Sequence, residues 1–114
     1  MAVIQSYQFG EIVIEGKKYT SDVIIFPHRI DSNWWRKKGH ELHPDDIQEI
    51  ISEKPELLIV GTGDSGLMRV LPETSQHLAA HNIEFIVETT GKACQTYNKL
   101  CGSKKVIAAL HLTC

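Results

Sequence analysis

Leu57-Leu58-Ile59-Val60-Gly61-Thr62-Gly63-Asp64-Ser65-Gly66 is the stretch on which the reading of the chain turns. Four consecutive branched apolar side chains between Pro55 and Gly61 predict a strand buried on both faces, the kind found inside a parallel sheet. That strand is expected at the centre of the fold. The glycines behind it permit positive φ and a close approach of another group, at the carboxyl end of a strand, where α/β proteins bind ligands.

Towards the carboxyl end, Leu67 to Leu71 is an apolar link, and Pro72-Glu73 starts a helix carrying Leu78 and Ala79 that ends near His81-Asn82. Ile83 to Glu88 reads as a second short apolar strand. Thr89 or Thr90 then caps a helix whose buried positions Ala93, Tyr97, Leu100 and Cys101 recur at i, i+4, i+7 and i+8 and whose end is marked by Gly102. Val106 to Leu112 is the last buried strand. Towards the amino end, Pro44-Asp45-Asp46 opens a helix, since proline suits its first turn and carboxylates suit the positive end of its dipole. Ile47, Ile50 and Ile51 are its buried stripe, and Pro55 forces its end. Asp22 to Phe26 is a strand stopped by Pro27, and residues 3 to 27 otherwise read as two or three antiparallel strands with a turn at Gly16-Lys17. A β-meander followed by β-α-β-α-β-α-β predicts a layered α/β domain with a mixed sheet and helices on its faces.

The 114 residues are expected to form a single domain, residues 1–114, with the 42% hydrophobic and 23% charged content of an ordinary globular chain. A formal charge of -2 supplies no global field towards nucleic acid or an anionic membrane, so neither is expected as a partner. No apolar run approaches the ~20 residues that span a bilayer. Glu11 and Glu15 lie in an alternating pattern without a basic-then-apolar layout, so no targeting segment is expected and the cytoplasm is the expected location. Cys94 and Cys101, seven residues apart on one predicted helix, stand roughly 10 Å apart and are expected reduced and buried.

The chemistry-bearing patterns are sparse. Gly61, Gly63 and Gly66 meet the spacing of a dinucleotide fingerprint directly after a strand, but no helix opens inside the motif and Asp64 puts a negative charge where phosphate would lie. Trp34-Trp35-Arg36-Lys37-Lys38 could clamp a phosphate, although the simpler reading has one tryptophan covering the core and the basic residues solvated. His40 and His43 lack metal-ligand spacing. His77 and His81 are i, i+4, with leucine where a zinc protease needs glutamate. Cys94 reads as core, whereas Cys114, with His111 nearby in sequence, is the one thiol expected to be exposed. No catalytic residue, metal site or cofactor is expected.

Trp35-Arg36 with Gly39-His40, Pro55-Glu56 leading into Gly61-Thr62-Gly63, Thr90-Gly91 with Ala93, Tyr97-Asn98-Leu100 and the Val106 to Leu110 strand together resemble one family. It is the family named after the archaeal hypothetical protein Mth nine-three-eight, and the resemblance runs from about Gln8 to Leu112. It implies a three-layer α/β fold with no assigned catalytic residue. Family members include a mitochondrial assembly factor for respiratory complex I and an adipogenesis-associated cytoplasmic protein, whose ending His111-Leu112-Thr113-Cys114 resembles.

Two classes of function follow. The first is a non-catalytic protein-interaction or assembly-factor-like module, a monomer or weak homo-oligomer with a protein partner. The second is a small-ligand-binding protein or an unrecognised enzyme using the Gly61 to Gly66 loop, with Gly61, Thr62, Gly63, Trp35, Thr90, Tyr97 and Asn98 as candidate ligand-binding residues. Tyr97 and Asn98 also have a structural reading, the tyrosine packing in the core and the asparagine bonding a loop.

Overall fold

The computed structural model describes residues 3–114. Strands β1 (Ile4–Gln8), β2 (Glu11–Ile14) and β3 (Lys17–Tyr19) form the antiparallel meander. The turn between β2 and β3 lies one residue earlier than Gly16-Lys17. Glu15 and Gly16 take φ of 50° and 79°, the two consecutive positive values that a two-residue hairpin turn needs to match strand twist.

Strands β4 (Val23–Ile25) and β5 (Ile30–Asp31) are followed by the two-residue strand β6 (Glu41–Leu42), a 3₁₀ turn over Pro44–Ile47 and helix α1 (Gln48–Glu53). Then come β7 (Leu57–Gly61), β8 (Arg69–Val70), α2 (Pro72–Ala80), β9 (Glu84–Glu88), α3 (Thr90–Leu100) and β10 (Val106–Leu110). The main sheet has the order β5-β4-β10-β7-β9. β10 runs parallel to β7 and antiparallel to β4, so the sheet is mixed. β10, not β7, is therefore its middle strand. β7 still has a neighbour on each side, and all five of its residues are buried.

Strand parity divides the core in two. Val23, Ile25, Leu57, Ile59, Val106, Ala108 and Leu110 face α3 and the meander, packing with Ile4, Ile12, Ile14, Ala93 and Tyr97. Ile24, Leu58, Val60, Ile107 and Ala109 face Leu42, Ile47, Ile50 and Leu78 on the other side. A sheet with both faces covered explains why its strands read as unbroken apolar runs. The three layers are the meander with α3, the central sheet, and α1 with α2. β9 departs from its apolar sequence: Glu84 and Val87 are exposed, because the strand is bonded on one side only. Ala79 is also exposed, leaving Thr74 and Leu78 as the buried residues of α2. Cys101 is only half-buried at the end of α3, whereas Cys94 is buried.

Candidate functional site

β7 ends at Gly61 because nothing larger fits there: a side chain would meet Leu110 Cδ2 and Thr90 Oγ1, both at 2.9 Å. Gly63, at φ +108°, is tighter. A Cβ on it would lie 2.6 Å from the main chain of Cys114 and 2.7 Å from the carbonyl oxygen of Thr113. The Asp64 N–H donates to the Thr113 carbonyl (2.6 Å), and the Leu67 N–H donates to the Cys114 carbonyl (3.0 Å). The space that the glycines open is thus filled by the chain's own segment 113–114.

The loop's donors are committed in the same way. Thr62 N–H donates to the Glu88 carbonyl (2.9 Å) and Gly66 N–H to the Gly63 carbonyl (3.3 Å). Gly63 N–H donates to Thr90 Oγ1 (2.8 Å), whose hydroxyl donates in turn to the His111 carbonyl (2.5 Å). A phosphate cradle needs such N–H groups pointed at the ligand; here they tie β7, β9, α3 and the segment after β10 together. Gly61, Thr62, Gly63 and Thr90 are one unit of structure.

The other predicted site residues lie apart from that unit. Trp35 is 79% exposed, while its neighbour Trp34 is buried and donates from Nε1 to the Asp46 carbonyl (3.3 Å). Tyr97 is buried in the same core as Val106, at the start of β10, and lines a small hollow there with Phe26 and Pro27. Gly61 pairs with Leu110 at its end, about 13 Å further on at ~3.3 Å per strand residue. Burial pushes the Tyr97 phenol up to about 12. Asn98 clamps β1 from both sides, accepting from Ile4 N–H (2.9 Å) and donating to the Ile4 carbonyl (2.7 Å). Hollows of about 360 to 550 Å³ do exist, one beside Tyr19 and Arg29, one beside Tyr7 and Gln95, one beside Lys54 and Asn82. None of these is lined by Gly61, Thr62 or Gly63.

A cluster that sequence reasoning missed supports the segment from below. Asp22 Oδ2 accepts from Arg36 Nη2 and from His111 Nδ1, each at 2.8 Å, and Oδ1 accepts from Leu112 N–H at 2.8 Å. Arg36 Nη2 and His111 Nδ1 lie 3.0 Å apart and meet the same carboxylate oxygen. Arg36 also lies over the Trp34 ring and donates to the Gly39 carbonyl (3.0 Å). Its side chain is 4% exposed, so the expectation of a solvated arginine is corrected by an ion pair formed across the fold. Burial pushes the Asp22 carboxyl up, but the hydrogen bonds from His111 and Leu112 and the Arg36 charge outweigh it and hold the pKa below 3.8. No local pattern announces three residues at positions 22, 36 and 111; the one hint was His111, a polar residue inside an apolar strand.

Three exposed apolar residues are bonded to segment 111–114 through the main chain or adjoin in sequence a residue that is bonded to it. Phe9 precedes Gly10, whose N–H donates to the Leu112 carbonyl (2.8 Å); Leu67 is bonded to Cys114; Trp35 adjoins Arg36. They are 59%, 52% and 79% exposed respectively.

The family model for proteins of unknown function DUF498/DUF598 matches residues 4–111. The chain belongs to that family. The conserved hypothetical protein PH1505 from Pyrococcus horikoshii OT3 has a similar structure, with a TM-score of 0.84 and 30% identity over 97% of this chain and 98% of that one. The structure named MT938 superposes with a TM-score of 0.82 at 24% identity over the full length of both chains. The family resemblance read from the ordered motifs therefore holds. A curated relative in Xenopus tropicalis, NADH dehydrogenase [ubiquinone] 1 alpha subcomplex assembly factor 3, is 27% identical over 107 residues, 93% of this chain. This member of DUF498/DUF598 spans 58% of that relative's length. Among the described residues, no helix is long and apolar enough to cross a membrane.

Proposed function

We propose that this DUF498/DUF598 chain is a non-catalytic, assembly-factor-like module that holds a protein partner against the carboxyl end of its central sheet. The observation that carries the reading is the exposure of Phe9, Trp35 and Leu67, each at or next to a residue bonded to segment 111–114. Large exposed apolar side chains on segments tied to a hydrogen-bonded floor suit a docking surface. The assembly-factor name of the curated relative supports the same reading. The cytoplasm is proposed as the place of this work, to be tested by imaging the tagged full-length protein.

The alternative is a small ligand or substrate at Gly61 to Gly66 walled by Trp35, Thr90, Tyr97 and Asn98. It asks more of the molecule, since segment 113–114 would first have to leave Gly63. Capture of cross-linked partners with the intact chain and with a Phe9→Ser, Trp35→Ser, Leu67→Ser variant tests the proposal. The variant is expected to lose the partner while its stability changes by only about 0.5 kcal/mol per exposed site. Capture undiminished in the variant refutes the docking surface. Stabilisation of the wild type by a nucleotide or phosphorylated metabolite, about 2.7 kcal/mol at a hundred times its dissociation constant, would favour the ligand reading instead.

A further inference from the structure

β9 ends the strand order β5-β4-β10-β7-β9 and pairs with β7 in one unbroken parallel register from Glu84 to Glu88. Thr62 N–H donates to the Glu88 carbonyl, which fixes the phase of the ladder. Glu84, Ile86 and Glu88 turn their main-chain N–H and C=O groups towards β7, and Phe85 and Val87 turn theirs away. Those four outward groups have no main-chain hydrogen bond among the described residues. The other strands show the devices that keep sheet edges from pairing with foreign chains. β5, β6 and β8 are two residues long, β3 begins with Lys17 and Lys18, and Asn98 occupies both main-chain groups of Ile4 on β1. β9 has five residues and no lysine, proline or bulge.

Its side chains decide what fits. Glu84, Ile86 and Glu88 share one face by strand parity, and Ile86 packs against the core on that face. Glu84 is exposed, and half-buried Glu88 accepts from Thr96 Oγ1 at 2.7 Å. Neither carboxylate is ion-paired among the described residues. A second copy of the chain is a poor occupant of this edge. Antiparallel pairing of the whole strand, Phe85 against Val87, sets Glu84 opposite Glu88 twice, and like charges directly opposite destabilise a sheet. We propose that β9 accepts an extended segment of another protein as a further strand, and that this segment carries Lys or Arg four residues apart around an apolar residue. The cations then meet Glu84 and Glu88 while the apolar side chain meets Ile86. Main-chain bonds to Phe85 and Val87 supply affinity, and the alternate side chains supply selectivity. This edge uses none of Phe9, Trp35 and Leu67, so it stands or falls separately from the surface proposed above.

The test uses the intact, isotope-labelled chain and the end-blocked peptide Thr-Lys-Thr-Ile-Thr-Lys-Thr, followed by amide resonances and hydrogen exchange. In the free chain the Phe85 and Val87 amides are expected to exchange quickly and the Ile86 amide slowly, since only the last lies in the ladder. The peptide is expected to shift the Phe85 and Val87 resonances and slow exchange at both. Its counterpart with glutamate in place of lysine is expected to bind about tenfold more weakly, and Glu84→Lys to weaken the lysine peptide about threefold. Val87→Pro removes an outward N–H, a change that strand edges tolerate, and is expected to abolish the response in a folded chain. Slow exchange at Phe85 and Val87 in the free chain overturns the open edge, and no protection by the peptide overturns the added strand. Equal binding of the two peptides overturns the basic partner. Self-association that protects the same two amides overturns it in favour of a second copy.

Discussion

Replacing Thr90 by valine is expected to unlock the carboxyl end of the sheet. Thr90 is completely buried, and its hydroxyl accepts from Gly63 N–H at 2.8 Å while donating to the His111 carbonyl at 2.5 Å. Valine has nearly the same shape, so little cavity forms and the loss is confined to hydrogen bonding. Two buried main-chain groups each lose a partner, at about 1–3 kcal/mol apiece, which sums to about 2–6 kcal/mol. Against a typical domain stability of about 5–15 kcal/mol that is a large fraction. Urea unfolding followed by tryptophan fluorescence should show the midpoint falling by about 1–3 M with the slope unchanged. Hydrogen exchange should quicken at the Asp64 and Leu67 amides, which bond segment 113–114 and depend on Thr90 to hold it. Thr90→Ser keeps the hydroxyl, sheds one methyl and should cost only about 1 kcal/mol. A valine variant within about 0.5 kcal/mol of wild type, the range of surface changes, or a serine variant as damaged as the valine one, would refute the reasoning.

Gly63→Ala should be costly as well, because its Cβ meets main chain at 2.6 Å and φ is +108°. Backbone strain and overpacking together predict a loss of about 2–5 kcal/mol in urea unfolding. Gly39→Ala, with nothing within 4 Å, should stay within about 0.5 kcal/mol of wild type. Acid should unlock the same region. The folded pKa of Asp22 lies below its usual 3.8, so its contribution is complete above the unfolded value and is lost as pH falls through the folded one. Unfolding midpoints measured between about pH 5 and pH 2 should therefore fall more steeply for wild type than for Asp22→Asn; parallel curves would remove the Asp22 cluster as a source of stability.

Periodicity carried much of the architecture. The runs Leu57 to Val60 and Val106 to Leu112 read as buried strands; the first lies within a fully buried strand, and the second is a fully buried strand that stops at Leu110, two residues short of that reading. The stripe of Ala93 and Tyr97 marked the inner face of α3 correctly. Errors arose where the outcome depends on neighbours. Ile83 to Glu88 is as apolar as an inner strand, but its place in the strand order leaves Val87 exposed. Burial of an element is a property of what stands beside it, and composition is blind to that.

The glycine loop shows the same division. The sequence by itself determined that the chain after β7 is free to pass close to something, since Gly61 and Gly63 carry no Cβ. Only the tertiary structure decided what that something is: segment 113–114, anchored through Thr90 and through the Asp22–Arg36–His111 cluster. Glycine spacing encodes the permission for close contact locally, in φ and in the missing side chain. The identity of the contacting group is set by long-range closure of the sheet, which brings together residues that no local pattern relates.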